Sequence, residues 1–168
     1  DDGNGYVDDI YGYNFVKNSG QITWNEVKGS DGDLGHGTHV AGTVSAVNNN
    51  GTGVCGIAGG TGHNDGVKIM SCQIFAGGVS SAEAQTAKAI KYAADNGASI
   101  LQCSWGYQSG AFTNDNSYIN SKGYNNSLIA DALKYFESAD RSKLGFSNPI
   151  NGGIAIFAAG NDGRGYGS

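Results

Sequence analysis

Short apolar segments alternate along this chain with segments of helical periodicity, and this alternation restricts the fold more than any other feature. A buried strand needs only about four to eight apolar residues, whereas a helix repeats its apolar residues every three or four positions. Strands separated by helices pair in parallel, because the connecting helix returns the chain to the starting edge of the sheet. We therefore predict an α/β domain with a mainly parallel sheet and helices on both faces.

The second helical segment has the clearest boundaries. Ser80 or Ser81 is a candidate N-cap with Glu83 close behind, and Asn96 followed by glycine ends the apolar repeat. Active sites of such sheets gather at the carboxyl ends of the strands, so we look for function in the loops that follow them. The predicted strands are residues 11–16, 67–74, 100–104 and 153–159, and the predicted helices are residues 37–47, 81–96 and 128–138.

The composition limits the class of protein. A length of 168 residues is typical of one domain. The 29 glycines lack the three-residue period of collagen and fall between apolar runs, where they mark turns. A net charge of −5 argues against nucleic acid as a partner. No apolar run approaches the roughly 20 residues that span a bilayer, so we expect no membrane span.

Three cysteines, Cys55, Cys72 and Cys103, lie in apolar stretches and show no Cys-x-x-Cys spacing. An odd number in this pattern favours small buried side chains over a disulfide pair or metal ligands. We therefore predict that all three side chains are buried.

The segment from Gly35 to Gly42 reads Gly-His-Gly-Thr-His-Val-Ala-Gly and places two histidines where a helix begins. Glycines on both sides of His36 allow a tight turn and leave its imidazole accessible, as a general base requires. Two other interpretations remain open. The His-x-x-His spacing allows a shared metal, although the glutamate of a zinc protease motif and a third ligand are missing. A hydrogen-bonded structural role suits His39 better than His36.

This segment resembles the histidine motif of the subtilisin-like serine proteases, the subtilases, in which the first histidine is the catalytic base and the second is structural. Phe157 to Gly163 is similar to the family's Ala-Ala-Gly-Asn segment, although alone it reads as a turn. The resemblance implies that His36 is the general base and that Asn161 donates a hydrogen bond to the oxyanion of the tetrahedral intermediate.

A second part of the resemblance concerns the substrate. Ser104-Trp105-Gly106 is similar to the family's Ser-Leu-Gly segment, which pairs with an extended peptide by strand addition. Tryptophan in the place of leucine changes the neighbouring subsite. Gly77-Gly78 corresponds to the segment that forms the opposite edge of the peptide groove. Taken alone, these segments are a strand end with a buried tryptophan and an ordinary glycine loop.

Calcium is suggested at the start of the chain. Residues 1–9 place side-chain oxygens around a Gly-Asn-Gly turn, a chemistry that suits a hard cation, with Asp2 and Asn4 as candidate ligands. The spacing and the closing glutamate of an EF-hand are absent. A solvated acidic turn is the alternative.

Calcium is also suggested after the histidine motif. Residues 47–54 resemble the family's structural calcium loop, in which an asparagine side chain and backbone carbonyls bind the ion. The resemblance implies Asn49 as the side-chain ligand and Val47 and Val54 as carbonyl ligands. This loop is one residue longer than the usual form, and its partner carboxylate would precede Asp1. An ordinary asparagine-rich turn is the alternative.

Two parts of the family's catalytic triad have no counterpart in these 168 residues. No apolar strand ending in Asp-Thr-Gly or Asp-Ser-Gly precedes His36, and no Gly-Thr-Ser follows Asn161. We therefore expect residues 1–168 to be the central part of a subtilase catalytic domain that requires the missing segments of the same domain. We expect no peptidase activity from this chain alone.

The resemblance implies a serine endopeptidase that hydrolyses an extended protein or peptide substrate through an acyl-enzyme. It implies that the chemistry needs no cofactor. It also implies structural calcium, and secretion or display at the cell surface. The rival interpretations are a non-catalytic relative that keeps the peptide groove and a calcium-stabilised structural module. An α/β-hydrolase is disfavoured because its Gly-x-Ser-x-Gly motif is absent.

Overall fold

The chain consists of two compact units, Asp1–Ser81 and Ala82–Ser168. Each unit contains helical structure and one pair of parallel strands, so the predicted α/β class with parallel strands is confirmed. Among the described residues the strands form three two-stranded sheets, and none of the helices is long and apolar enough to cross a membrane. The computed structural model describes residues 3–23, 35–76, 79–106, 127–147 and 149–161.

The first unit is built around a parallel strand pair. Tyr13 of one strand lies opposite Cys72 of the other, and Tyr13 packs edge to face on the buried ring of Phe15 with centroids 5.2 Å apart. A short antiparallel pair follows at the end of the unit. The elements are β1 (Gly12–Asn14), α1 (His36–Ser45), β2 (Ser71–Gln73), β3 (Phe75–Ala76) and β4 (Val79–Ser80).

The second unit alternates helices and strands. Its two strands pair in parallel, with Ile100 opposite Ile154 and Cys103 opposite Phe157. The elements are α2 (Glu83–Asp95), β5 (Ile100–Cys103), α3 (Leu128–Ser138) and β6 (Ile154–Phe157). Its buried core is contributed by both helices and by β5, through Ala89, Ile90, Tyr92, Ala93, Ala94, Leu101, Cys103, Ala132 and Phe136.

Helix α2 begins two residues later than predicted, and the predicted serine cap is wrong. Its N-cap residue is Ala82, and no side chain caps it. The N–H of Ser81 instead donates to the carbonyl of Ile74, the residue before β3, at 2.7 Å. Ser81 is therefore part of the turn after β4. Glu83 serves another helix, because its Oε1 accepts from Ser127 Oγ and Leu128 N–H, both at 2.9 Å, where α3 begins.

The three cysteines differ in burial, which corrects the prediction that all are buried. Cys103 is buried, Cys72 is half-buried and Cys55 is exposed. The loop that carries Cys55 contacts α1 through backbone groups, with Gly56 N–H donating to the Ala46 carbonyl at 2.9 Å. Because the backbone makes this contact, the neighbouring apolar side chains of the loop stay exposed.

A buried arginine closes the connection between α3 and β6. Arg141 is 1% exposed, and a cation here suits the partial negative charge at the end of a helix. The side chain thereby ties the end of α3 to the start of β6. Its guanidinium donates to four backbone carbonyls, those of Phe136, Ala139, Ile150 and Gly152.

Candidate active site

Helix α1 begins at His36, directly after a glycine in the left-handed conformation. Gly35 has a φ of +95°, which residues with a side chain rarely adopt. Its carbonyl accepts the N–H of His39 at 2.8 Å and closes the first helical turn. The side chain of His36 is exposed at this helix end. An accessible imidazole in this position can exchange a proton with a bound reactant.

A glutamine in β2 holds the chain that leads to the histidine motif. Gln73 Oε1 accepts the N–H of Thr23 at 2.9 Å, and Gln73 Nε2 donates to the carbonyl of Thr23 at 2.9 Å. The side-chain amide therefore pairs with Thr23 as a neighbouring strand would. Nε2 also donates to the carbonyl of Phe75 at 2.8 Å. No sequence pattern marks this role, because Gln73 is simply one polar position in an apolar strand.

The loop after α1 folds back on the end of the helix. The N–H groups of Ile57 and Ala58 donate to carbonyls of the last helical turn at 2.9 and 2.8 Å. Asn49 is exposed and has a φ of +56°, whereas the Oδ1 atom of Asn48 is buried without a hydrogen-bond partner. A buried oxygen of this kind is a suitable acceptor for a hard cation. Val47 and Val54, the predicted carbonyl ligands, are both exposed.

Two predicted site segments begin at neighbouring strands: Ser104-Trp105-Gly106, the predicted peptide-docking segment (the docking segment), and Phe157 to Gly163, the predicted oxyanion segment (the oxyanion segment). Ser104 follows β5 directly, and the N–H of Ala158 donates to the Cys103 carbonyl at 3.0 Å as β6 ends. Both segments therefore start at the carboxyl edge of one parallel pair, where such folds place their sites. Gly160, with a φ of +88°, precedes Asn161 just as a left-handed glycine precedes the histidine.

An aromatic contact joins these two segments. The rings of Trp105 and Phe157 have centroids 5.3 Å apart and planes at 79°. The sequence motifs assign Trp105 to the docking segment but give Phe157 no role. A cross-strand aromatic pair is recognisable only once the register of β5 and β6 is known, because the two residues are far apart in the sequence.

The amino-terminal candidate site is held together by its own hydrogen bonds. Asn4 Oδ1 accepts the N–H of Tyr6 at 2.7 Å, and Asn4 Nδ2 donates to Asp9 Oδ2 at 2.9 Å. Asp2 lies outside the described residues, so calcium binding here stays a prediction. In the part of the chain that the structure describes, no group of three or more histidine, cysteine or carboxylate side chains has the geometry of a metal site.

The predicted site residues are divided between the two units. His36 and Asn49 belong to the first unit, and Trp105 and Asn161 belong to the second. Within the second unit, the structure brings the docking segment and the oxyanion segment to neighbouring strands. The predicted opposite edge of the groove, Gly77-Gly78, lies outside the described residues.

Burial changes the chemistry of one thiol beneath the docking segment. Cys103 lies on β5 immediately before Ser104, and desolvation raises the pKa of its thiol to about 11. A thiol with a raised pKa is a poor nucleophile. We therefore interpret Cys103 as a buried structural side chain and not as a nucleophile.

Comparisons with known proteins identify the family. The sequence model of the subtilase family matches residues 5–168. The chain is 34% identical over 125 residues to Subtilisin-like protease 1 of Plasmodium falciparum (isolate 3D7), covering 73% of this chain and 16% of that protein. It is 39% identical over 74 residues to the Cell wall-associated protease of Bacillus subtilis (strain 168), covering 44% of this chain and 8% of that protein.

A third relative, Thermitase of Thermoactinomyces vulgaris, is 38% identical over 72 residues, covering 43% of this chain and 24% of that protein. The chain therefore spans less than a quarter of the length of each of these three relatives. No solved structure matches it significantly. The match of the family model along almost the whole sequence shows that the chain belongs to the subtilase family of serine peptidases.

Proposed function

We propose that this chain is the histidine-bearing section of a subtilisin-like serine endopeptidase. The observation that carries the proposal is the arrangement at the carboxyl edge of β5 and β6, where the docking segment and the oxyanion segment begin side by side. Each has a counterpart in the family's motifs, and His36 supplies the motif of the general base.

The proposed chemistry is acyl transfer. A serine from another segment of the domain attacks the substrate carbonyl while His36 takes the serine proton, and His36 then returns that proton to the leaving amine. Water releases the acyl group in a second step with the same proton transfers. This chain lacks the serine and aspartate motifs, so we propose that it is inactive by itself.

Asn161 supplies charge stabilisation. Its side-chain amide donates a hydrogen bond to the oxyanion of the tetrahedral intermediate, where negative charge develops only as the reaction proceeds. Losing such a donor costs about 100- to 1,000-fold in kcat, a magnitude known from subtilisin itself. The left-handed Gly160 turns the chain as it leaves β6 for this position.

The proposed substrate is an extended protein or peptide segment. Its backbone pairs with Ser104-Trp105-Gly106 by strand addition, and Gly77-Gly78 forms the opposite edge. Backbone pairing holds peptides of many sequences, so side-chain preference comes from the subsites beside this strand. Trp105 is half-buried and forms part of one such wall.

We also propose structural calcium in the loop after α1. Asn49 and the carbonyls of Val47 and Val54 are the proposed ligands, and the buried Oδ1 of Asn48 adds an acceptor in the same loop. Calcium here would fix the loop at the end of the helix that begins at His36. It takes no part in the chemistry.

Secretion or surface display is proposed from the family. One relative carries the name Cell wall-associated protease, and the family resemblance supports the same location for this chain. Localisation of a tagged full-length protein in fractionated cultures tests this point.

A fluorophosphonate probe tests the proposed function. We expect the complete catalytic domain that contains this chain to be labelled and to cleave a peptide substrate, and the chain alone to remain unlabelled. His36→Ala should abolish labelling, whereas His63→Ala, a change at an exposed histidine hydrogen-bonded to Thr61, should not. A complete domain that binds peptides but is neither labelled nor active would favour the non-catalytic relative.

A further inference from the structure

The docking and oxyanion segments both start at the end of the parallel strand pair β5 and β6. Cys103 ends β5 opposite Phe157, which ends β6. The N–H of Ala158 then donates to the Cys103 carbonyl at 3.0 Å, and the backbone ladder of the pair ends there. Past this point the two segments are joined through side chains.

The joining contact is the ring pair of Trp105 and Phe157. Centroids 5.3 Å apart and planes at 79° describe the edge-to-face arrangement that aromatic rings prefer. Trp105 comes two residues after Cys103, past the end of β5, and its ring contacts Phe157, the residue that pairs with Cys103. Leucine, which occupies this place in the similar family segment, cannot form a ring pair.

The chain reaches Asn161 shortly after this contact. Asn161 lies four residues after Phe157, and Gly160 between them is the residue type that restrains the backbone least. Because Gly160 adds little restraint of its own, the connection to Asn161 takes its starting direction from the end of β6, so a shift of Phe157 there displaces the amide of Asn161. Stabilisation of an oxyanion is sensitive to such shifts, because the donor must point at the place where charge develops.

We propose that Trp105 and Phe157 are positioning residues whose ring contact fixes the oxyanion donor against the peptide-docking segment. The proposal rests on the proposed function and gives Phe157 a role that no motif of the site assigns. A peptide paired along Ser104-Trp105-Gly106 and the amide of Asn161 are thereby held in one frame. The ring pair acts on kcat through Asn161, without touching the reacting atoms.

The test follows hydrolysis of a chromogenic peptide by the complete catalytic domain that contains this chain. Phe157→Leu removes the ring but keeps an apolar side chain, and we expect kcat to fall about 2- to 10-fold with KM changed by less than about twofold. Trp105→Leu should lower kcat by a similar factor. The double variant should be no worse than either single one, because both break the same contact. Trp105→Phe keeps a ring and should retain most of kcat.

An Asn161→Ala background separates positioning from packing. When the ring pair acts through Asn161, Phe157→Leu leaves the residual kcat of Asn161→Ala unchanged. Equal losses in both backgrounds, a change confined to KM, or losses that multiply in the double variant would overturn the proposal. Each variant is assayed well below its own melting temperature, so that unfolding does not contribute to the loss.

The activity of the wild-type domain distinguishes failure of this inference from failure of the proposed peptidase function. A wild-type domain that cleaves no peptide and takes up no fluorophosphonate overturns the proposed function and the inference with it. An active wild-type domain in which Phe157→Leu has no effect on kcat overturns the inference alone.

Discussion

Arg141 places a positive charge in the interior of the second unit, where its partners are backbone carbonyls and the ring of Phe136. Burying a charge costs several kcal/mol unless hydrogen bonds offset the loss of water. Four carbonyls supply those bonds, and two of them belong to the end of α3, where the helix dipole adds to the effect. These hydrogen bonds fix the position of Arg141 and stabilise the connection between α3 and β6.

Arg141→Met tests this role because it keeps the volume and removes the donors. We expect the free energy of unfolding to fall by about 2–3 kcal/mol, since buried carbonyls lose their partners. Arg141→Lys should recover little of it, because one ammonium group cannot reach carbonyls that a planar guanidinium spans. Urea unfolding gives the values. Lys143→Met, at an exposed cation of the same connection, is the control, and an equal loss there would contradict the role.

Cys103 makes a second prediction at the scale of one residue. Burial raises the pKa of its thiol to about 11 from an ordinary 9.0, so its thiolate fraction at pH 8 is about 100-fold lower than that of a free thiol. We expect iodoacetamide to alkylate exposed Cys55 well before Cys103 in the folded chain. Peptide mass mapping follows both sites, and urea should remove the difference. Equal rates in native buffer would contradict the burial of Cys103.

The same shift makes stability depend on alkaline pH. The folded-state pKa of Cys103 lies above the unfolded-state value, so its contribution is fully present below pH 9.0 and is lost as the pH rises towards about 11. Unfolding free energies measured across that range should fall, and the fall should shrink in Cys103→Val. An unchanged slope in that variant would assign the alkaline loss to other groups.

At the scale of elements, the start of α3 is capped from two directions. Ser127 Oγ accepts the N–H of Ala130 at 3.4 Å, as an N-cap serine does. Glu83 Oε1 reaches across from α2 and accepts from Ser127 Oγ and Leu128 N–H, both at 2.9 Å. A carboxylate at a helix N-terminus also complements the helix dipole. One contact thus fixes the start of α3 relative to α2.

Ser127→Ala tests the double cap. The free energy of unfolding should fall by about 1 kcal/mol, because the helix loses its N-cap and Glu83 loses a donor. Glu83→Ala should also destabilise the chain, and the two losses should not add, since both act on one cap. Glu137→Ala, an exposed carboxylate on α3, is the matched control. Additive losses for Ser127 and Glu83 would show that the two groups act independently.

The positions of the helices and of the parallel strands were predictable because periodicity is a local property of the sequence, whereas the short antiparallel pair β3 and β4 was not predicted. The prediction of α3 as residues 128–138 matches the structure, and the four predicted strands each contain an observed one. The cap of α2 was not predictable, because Glu83 faces a helix 45 residues away in the chain. For the same reason, the motifs could only predict roles for Asn161 and Trp105, whereas the contacts of Phe157, Gln73 and Arg141 are visible only in the tertiary structure.

At the scale of the whole molecule, the proposed machinery is divided. The first unit holds the proposed general base and the candidate calcium loop, and the second holds the proposed docking and oxyanion segments. Neither unit by itself contains what the proposed reaction needs, so activity belongs to the complete domain. Calcium binding is also tested on the complete domain, because the loop at residues 47–54 lies in the first unit whereas its predicted partner carboxylate would precede Asp1.

Calcium at this loop should raise the melting temperature of the complete catalytic domain that contains this chain. A ligand that binds only the folded state adds about 2.7 kcal/mol at 100 times its Kd, which for a domain of about 150–250 residues corresponds to about 5–10 °C. We expect a chelator to lower the melting temperature and calcium to restore it, as followed by circular dichroism.

The side-chain ligand is tested by Asn49→Gly, because glycine accepts the left-handed φ of +56° at this position while removing the amide. The variant should lose the response to calcium without the backbone strain that alanine would add. Asn18→Gly is the matched control, since Asn18 is exposed and has a φ of +54° outside the loop.

Asn48→Ala shows whether Asn48 or Asn49 supplies the side-chain ligand. If Asn48→Ala loses the response to calcium and Asn49→Gly keeps it, the ligand is the buried Oδ1 of Asn48. A melting temperature that calcium and chelator leave unchanged in the wild-type domain would contradict the site, and the backbone contacts with α1 would then account for the position of the loop.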